Sequence, residues 1–177
     1  AIGNQICISK QNYKLIYITG ERFMFDFITS IQKNKTSEFS KRYRDVDILL
    51  LDDAQFFKDK EQTQEQFFHL FNFLYQNGKQ IILTSDNHPN QMSGFKERLI
   101  SRFQSGLVVD IQPPDLETRI AILMNKAEHD QLEIPYEVME FVASNIQGDI
   151  RTLEGALVNL LALSSLKKED INLSLAK

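Results

Sequence analysis

Residues 48–53 read Ile-Leu-Leu-Leu-Asp-Asp, an apolar run that ends in two adjacent carboxylates. A short, continuously apolar run is typical of a strand that is buried on both faces of a parallel sheet. Further apolar, β-branched-rich runs lie at intervals along the chain, and each leads into helical patterning. The sequence therefore predicts an α/β fold with a parallel sheet flanked by helices, and strands at 15–19, 46–51, 80–84 and 107–111.

The helical patterning changes character along the chain. Residues 67–74 carry apolar side chains at the i, i+3, i+4 and i+7 positions of an amphipathic helix. After Ile111, Pro113 and Pro114 interrupt the chain, and the residues that follow show only helical periodicity. We therefore predict two parts, an α/β base at 1–111 and a small all-helical lid subdomain at 112–177.

Composition narrows the class of protein. A chain of 177 residues with 42% hydrophobic and 25% charged residues is long enough and apolar enough to bury a core. Its single cysteine, Cys7, forbids an internal disulfide, and no run approaches the roughly 20 apolar residues of a membrane span. We therefore expect a cytoplasmic protein without membrane contact. The net charge of −4 means that any nucleic-acid contact must come from a local basic patch.

Acidic residues stand where two predicted strands end. The pair Asp52 and Asp53 resembles a Walker B motif, in which Asp52 could hold Mg²⁺ through water and Asp53 could position an attacking water. The next strand ends in Thr84, Ser85 and Asp86, beside the presumed γ-phosphate position. Taken alone, both stretches are explained equally well as strand ends that lead into turns.

Three arginines are candidates for contact with phosphate. Arg98 and Arg102 are four residues apart and share one helical face, which suits a phosphate offered by a neighbouring molecule. Arg151 follows the predicted helix cap Asp149, where its positive charge is unfavourable beside the helix dipole and suggests an anionic partner. A solvated basic face for the first pair and a surface arginine without a role for Arg151 remain open alternatives.

The segment 33–44 is basic, with five lysines and arginines against the single acid Glu38. Such a cluster can follow a nucleic-acid backbone, although a solvated helix face is the more common explanation of such a charge run. The three histidines are isolated and show no metal-ligand spacing.

The order of six segments is more specific than any single motif. These segments are LLLDDAQFF at 49–57, KEQTQEQFFHLFN at 60–72, IILTSD at 81–86, ERLISRF at 97–103, GLVVDIQPPDLETRIAIL at 106–123 and IRTLEGAL at 150–157. In this order they resemble the AAA+ ATPase domain of the bacterial replication initiator DnaA over about residues 1–175. The resemblance implies a P-loop-type AAA+ sheet with a helical lid. It also implies a protein that binds and hydrolyses ATP with Mg²⁺, forms a filament on origin DNA and promotes duplex melting, with a replicative helicase or its loader as a further partner.

The resemblance also assigns residue roles by position. In the nucleotide site they are Asp52 and Asp53 as Walker B, Asp86 as sensor 1, Arg102 as the arginine finger in trans, Arg98 as a second interface arginine, and Arg151 as sensor 2. Segment 33–44 resembles the initiator-specific helical insertion. The positions that would contact single-stranded DNA are Ile28, Lys60, Gln62 and Thr63, of which Gln62 departs from the arginine often found there.

One family feature is missing. No Gly-x-x-x-x-Gly-Lys-Ser/Thr pattern occurs in the chain, so it lacks the phosphate-binding loop with its N–H cradle and lysine. We therefore expect a fragment of a longer initiator, truncated at its N-terminus, that is inactive and free of ATP or ADP on its own, and that also lacks the helix-turn-helix domain. The missing strand belongs in the middle of the sheet, so 80–84 should have an unpaired edge and 107–111 should be detached.

A second hypothesis is a non-catalytic AAA+-like regulator or a single-stranded DNA-binding module of the same family. Carboxylates and arginines at all the nucleotide-facing positions argue against it, because a binding module has no need of them together. A helicase loader is a weaker alternative, since loaders share the scaffold but not the LEGAL sequence at 153–157.

Overall fold

The computed structural model describes residues 2–9, 13–146 and 148–177, except for the side chains of Cys7 and Ser9. The chain divides between Asp110 and Ile111 into two compact units. The first unit contains three strands and five α-helices in its described part: α1 Ile2–Ser9, β1 Leu15–Thr19, α2 Gly20–Gln32, α3 Thr36–Arg44, β2 Ile48–Asp52, α4 Glu61–Gln76, β3 Gln80–Leu83 and α5 Glu97–Gln104. Single 3-10 turns lie at Ala54–Phe57 and Pro89–Gln91.

The three strands form a parallel sheet, as predicted, and their order in it is β1-β2-β3. The central strand β2 is buried at Ile48 and at all three leucines that follow, because neighbours cover both of its faces. Thr19 lies opposite Asp52, and Leu51 lies opposite Leu83. The carboxyl ends of the three strands therefore meet at one edge of the sheet.

The fourth predicted strand does not form. Residues 107–111 have no strand, and Leu107 and Ile111 are 92% and 91% exposed. An extended segment needs N–H and C=O partners on a neighbouring strand, and among the described strands β3 pairs only with β2. The apolar pattern alone was therefore misleading here, and the structure agrees with the expectation of a detached run.

An aromatic cluster organises the core of the first unit. Phe23 on α2 is fully buried. Its ring centroid lies 5.1 to 5.6 Å from those of four other aromatic rings, Phe39, Tyr43, Phe57 and Phe67. Such pairs contribute about 0.5–1.5 kcal/mol each beyond the burial of their area. The cluster fixes α2 against α3, α4 and the 3-10 turn that follows β2.

The second unit contains only helices in its described part: α6 Leu116–His129, α7 Tyr136–Asn145, α8 Ile150–Lys167 and α9 Leu173–Ala176. Predicted caps begin two of them, since Asp115 accepts a hydrogen bond from the N–H of Thr118 and Asp149 from that of Thr152. Arg119 on α6 donates to the carbonyls of Ala143 and Pro114, at 2.9 and 2.8 Å. Within the described part of the chain, no helix is both long and apolar enough to cross a membrane.

Candidate nucleotide site

Asp52, the last residue of β2, is held by both neighbouring strands. The Tyr17 hydroxyl donates to Asp52 Oδ2 at 2.6 Å, and the Thr84 hydroxyl donates to Oδ1. Tyr17 lies on the same face of β1 as Thr19, the register partner of Asp52, so it reaches the carboxylate diagonally across the strands. Two hydroxyl donors fix the orientation of this carboxylate.

Asp53 follows in a left-handed backbone conformation, with φ 59° and ψ 56°. This region is uncommon for residues other than glycine, although aspartate tolerates it better than most. The chain just after β3 stabilises the conformation. The Asp53 N–H donates to Thr84 Oγ1 at 3.0 Å, and the next N–H, of Ala54, donates to the Thr84 carbonyl at 2.9 Å. Thr84 therefore holds both acids of the predicted Walker B pair.

Gln55 joins the two strand ends through its side chain. Its Nε2 donates to Asp53 Oδ1 at 2.9 Å and to Asp86 Oδ2 at 2.8 Å. Its Oε1 accepts the N–H of Asp86 at 3.4 Å. The structure therefore brings together the three acids that the sequence predicted separately.

Sequence reasoning missed two of the side chains that hold these acids. Tyr17 is an aromatic residue within an apolar strand, and Gln55 is a single amide before two phenylalanines. Tyr17 has no local signal because Asp52 lies 35 residues away, and the link of Gln55 to the second strand end is equally hidden because Asp86 lies 31 residues away. Only the register of the strands could have identified them.

Gly20 allows the 3-10 turn to approach α2. A Cβ at this position would lie 2.6 Å from the backbone oxygen of Asp53 and 3.3 Å from Cβ of Phe56. The first contact is with backbone, so a side chain at residue 20 would displace Asp53 itself. The glycine is required here by this close approach.

The hydrogen bond to Asp52 and the negative charge of that carboxylate raise the pKa of Tyr17 above its ordinary value of about 10. A raised pKa in the folded state means that the stabilisation is complete below pH ~10 and is lost as the pH rises through the folded value. We expect Asp52→Asn to lower the pKa of Tyr17. Alkaline titration of tyrosine absorbance, as the difference between each protein and its Tyr17→Phe derivative, measures this change. An unchanged pKa would show that the two side chains do not interact in solution.

The two arginines of α5 differ in their surroundings. Arg98 Nη2 lies 3.1 Å from Glu65 Oε1, and its guanidinium stacks 4.8 Å from the centroid of Phe68. The hydrogen bond from Arg98, followed by the charge of Lys96, holds the pKa of Glu65 below its usual range. Arg102 is half-buried and has no side-chain hydrogen bond or ion pair with any residue that the structure describes. Arg98 is thus neutralised within its own chain, whereas the charge of Arg102 is available to another molecule.

Arg151 lies in the second unit, in the first turn of α8, and is exposed. The cap Asp149 accepts both the N–H and the hydroxyl of Thr152. Hydrogen bonds from Thr152, with a smaller contribution from the charge of Arg151, lower the pKa of Asp149. This neighbouring carboxylate softens the unfavourable position of Arg151 at the positive end of the helix.

Of the four positions expected to contact single-stranded DNA, three are exposed. Ile28 lies on the outer face of α2, Lys60 immediately precedes α4, and Gln62 lies in its first turn. Thr63 is only 3% exposed, because it stands one turn before Phe67 on the face of α4 that packs on the core. In this structure the side chain of Thr63 therefore presents no surface to a strand.

Segment 33–44 is less basic as a surface than its composition indicates. Lys35 pairs with Glu38 at 3.1 Å, and Arg42 Nη1 lies 3.3 Å from Asp26 Oδ2. Arg44 stacks 4.8 Å above the ring of Phe73. Intramolecular contacts thus engage three of the five basic side chains. This agrees in part with the interpretation of the segment as a solvated helix face.

The acids at the sheet edge suit a hydrated Mg²⁺ in their chemistry, since all their donors are oxygens. Asp53 and Asp86 each use one carboxylate oxygen on Gln55, and the other oxygen of each has no protein donor among the described residues. No cluster of three or more ligand side chains occurs in the described part of the chain. A metal held here would therefore keep several waters and contact the protein through one carboxylate or two.

Comparison with known proteins identifies the family. The family described as the bacterial DnaA ATPase domain matches residues 1–110. Chromosomal replication initiator protein DnaA of Lacticaseibacillus casei is 53% identical over 176 residues, which are 99% of this chain and 39% of that protein. The protein of the same name from a Thermoanaerobacter species is 51% identical over 177 residues, 100% of this chain and 40% of that protein. The chain thus spans about two-fifths of the length of these relatives.

Comparison with solved structures identifies the same family. Domain III of the Thermotoga maritima replication initiation protein DnaA is 41% identical with a TM-score of 0.95, over 99% of this chain and 73% of that chain. AMPPCP-bound DnaA from Aquifex aeolicus is 40% identical with a TM-score of 0.82, over 93% of this chain and 50% of that one. A replication initiator DnaA bound to AMPPCP and single-stranded DNA is 39% identical with a TM-score of 0.81, over 94% and 51% of the two chains. The chain belongs to the bacterial DnaA family, and its parallel sheet flanked by helices is the AAA+ fold of that ATPase domain.

Proposed function

We propose that this chain is the ATP-hydrolysing part of a chromosomal replication initiator that assembles on origin DNA and promotes duplex melting. The observation that carries the proposal is the gathering of Asp52, Asp53 and Asp86 at one sheet edge, while Arg102 has no partner within the described residues. A related DnaA has been solved with the ATP analogue AMPPCP, which supports nucleotide as the ligand of this edge.

The three acids would divide the work of phosphoryl transfer. Bound Mg²⁺ would neutralise charge that develops on the transferred group. Asp52, oriented by Tyr17 and Thr84, would hold the ion through water. Asp53 would orient the attacking water through its unused oxygen. Asp86, as sensor 1, would respond to the presence of the γ-phosphate and pass this change to the end of β3.

The arginines would act between subunits and from the lid. Arg102 is the better candidate for the finger in trans, because Arg98 would first have to leave Glu65. Arg98 would then be a second interface residue that also stabilises α5 against α4. Arg151, exposed at the start of α8, would contact nucleotide phosphate as sensor 2.

Single-stranded origin DNA would lie along Ile28, Lys60 and Gln62, which are exposed. A family member solved with single-stranded DNA supports this partner. Thr63, being buried, would support the turn that carries Lys60 and Gln62 and would not touch the strand. The proposed role in chromosome replication would also involve a filament of subunits and contact with a replicative helicase or its loader. It would place the protein in the cytoplasm.

Asp53→Asn tests the proposal in a full-length family chain, so that a phosphate-binding loop accompanies these residues. We expect kcat for ATP hydrolysis to fall about 100-fold or more, since the attacking water loses its positioning group, while the Kd for ATP changes by less than about threefold. Steady-state phosphate release and nucleotide titration measure the two quantities.

Asp59→Asn is the matched control, because Asp59 is exposed and has a φ of 57°, close to that of Asp53. It should hydrolyse ATP at the wild-type rate. Wild-type protein that binds single-stranded DNA without hydrolysing ATP would overturn the proposal in favour of a non-catalytic module. Full activity of Asp53→Asn would refute the role of that residue.

A further inference from the structure

We infer that Gln55 is a positioning residue that sets the distance and orientation between Asp53 and Asp86. The inference rests on the proposed ATPase function and concerns a residue outside the three acids. Gln55 is the side chain through which the carboxylates at the ends of β2 and β3 are joined.

The amide group is fully used in this arrangement. Nε2 carries two hydrogens, and each points to a different carboxylate, at 2.9 Å to Asp53 and 2.8 Å to Asp86. Oε1 accepts the backbone N–H of Asp86 at 3.4 Å. The amide therefore fixes the positions of both the side chain and the backbone of Asp86, whereas a single hydrogen bond would fix only one of them.

Asp53 and Asp86 accept hydrogen bonds from the same nitrogen, and like charges held so near each other repel even at an exposed edge. A donor shared between them offsets part of this repulsion. The amide also leaves one oxygen on each carboxylate for water or the hydrated ion. Methionine has a similar length but no N–H, so it would remove the link with little change in side-chain volume.

The backbone of Gln55 is itself held on both sides. The first and last residues of its 3-10 turn, Ala54 and Phe57, are buried at 1% and 0% exposure. The Ala54 N–H donates to the Thr84 carbonyl, and the Gln55 carbonyl accepts the N–H of Lys58 at 3.0 Å. A residue whose backbone is fixed in this way can hold other side chains in position, because it has little conformational freedom of its own.

The first test is the kinetics of Gln55→Met in a full-length chain that has its phosphate-binding loop. We expect kcat for ATP hydrolysis to fall about 10- to 100-fold, because small displacements of positioned groups cost that much, with KM for ATP within about threefold of wild type. Gln91→Met is the matched control, since Gln91 is an exposed glutamine in the other 3-10 turn. Wild-type kcat in Gln55→Met would overturn the inference.

A double-mutant cycle separates positioning from loss of fold. Asp86→Asn should lower kcat on its own, and Gln55→Met should lower it little further when Asp86 is already changed, because Gln55 acts through the acids. Effects that multiply independently would overturn the inference. If wild-type protein hydrolyses ATP and Asp53→Asn does not, while Gln55→Met is fully active, this inference fails and the proposed function stands. If wild-type protein does not hydrolyse ATP, the proposed function itself fails.

A spectroscopic measurement on the 177-residue chain needs neither activity nor a stable Gln55 variant. The side-chain NH₂ resonances of Gln55 should shift in both Asp53→Asn and Asp86→Asn, since each proton bonds a different carboxylate. Asp59→Asn should leave them in place. Resonances that move in neither of the first two variants would overturn the inference.

Discussion

Gln64→Met is expected to lower the free energy of unfolding of the first unit by about 2–3 kcal/mol, because a buried side chain loses three hydrogen bonds to the backbone and the N–H of Lys96 loses its acceptor. Gln64 is 1% exposed. Its Nε2 donates to the carbonyls of Phe57 and Gly94, and its Oε1 accepts the N–H of Lys96, all at 2.8 Å. Methionine fills similar space but satisfies none of these groups.

Denaturant melts followed by circular dichroism measure the loss, with Gln76→Met as the matched control in the same helix. Gln76 is exposed near the end of α4, so its replacement should change stability by less than about 0.5 kcal/mol. Gln64→Glu is a sharper second variant, because it places a carboxylate against two carbonyl oxygens and should destabilise at least as much. Stability within about 1 kcal/mol of wild type in Gln64→Met would mean that water replaces the glutamine.

The effect should reach the candidate site as well. Lys96 immediately precedes α5, the helix that carries Arg102, and Gln64 joins this point to the turn after β2. The glutamine therefore couples the acid-bearing turn to the arginine-bearing helix through one buried side chain. Partly destabilised variants should lose ATP hydrolysis before they lose secondary structure.

The sequence predicted those elements whose patterns reflect burial. The apolar run of β2 and the periodicity of α4 are direct consequences of packing against the core, and both elements form where they were predicted. The same argument fails at 107–111, since an apolar run specifies a strand only when a neighbour supplies hydrogen bonds. The pattern cannot tell whether that neighbour is present.

Site residues divide in a similar way. The acids Asp52, Asp53 and Asp86 could be predicted because strand ends of a parallel sheet meet at one edge. Tyr17 and Gln55 could not, since their role depends on strand register and on the path of a turn. The difference between Arg98 and Arg102 was equally hidden, because Glu65, the partner that neutralises Arg98, lies on another helix.

Arg102→Ala should preserve ATP binding but abolish cooperative assembly on single-stranded DNA, and it should lower ATP hydrolysis by about 10³-fold, the usual effect of losing an arginine finger. The reason is that Arg102 has no ion pair or side-chain hydrogen bond among the described residues of its own chain, so its removal costs that chain little. Nucleotide titration, analytical ultracentrifugation and phosphate release measure the three effects. Assembly at the wild-type level would contradict the assignment.

Mixing two inactive proteins tests whether Arg102 acts in trans. An Arg102→Ala subunit keeps its acids but offers no finger, and an Asp53→Asn subunit offers a finger but cannot position water. Where the acids of an Arg102→Ala subunit meet the finger of an Asp53→Asn subunit, the two complete one site. The mixture should therefore hydrolyse ATP well above the rate of either protein alone. Arg102→Lys in place of Arg102→Ala should recover similarly, since lysine lacks the planar fork. A mixture that assembles on single-stranded DNA yet is as inactive as its components would show that Arg102 serves its own subunit, because no pairing could then combine an intact arginine with intact acids.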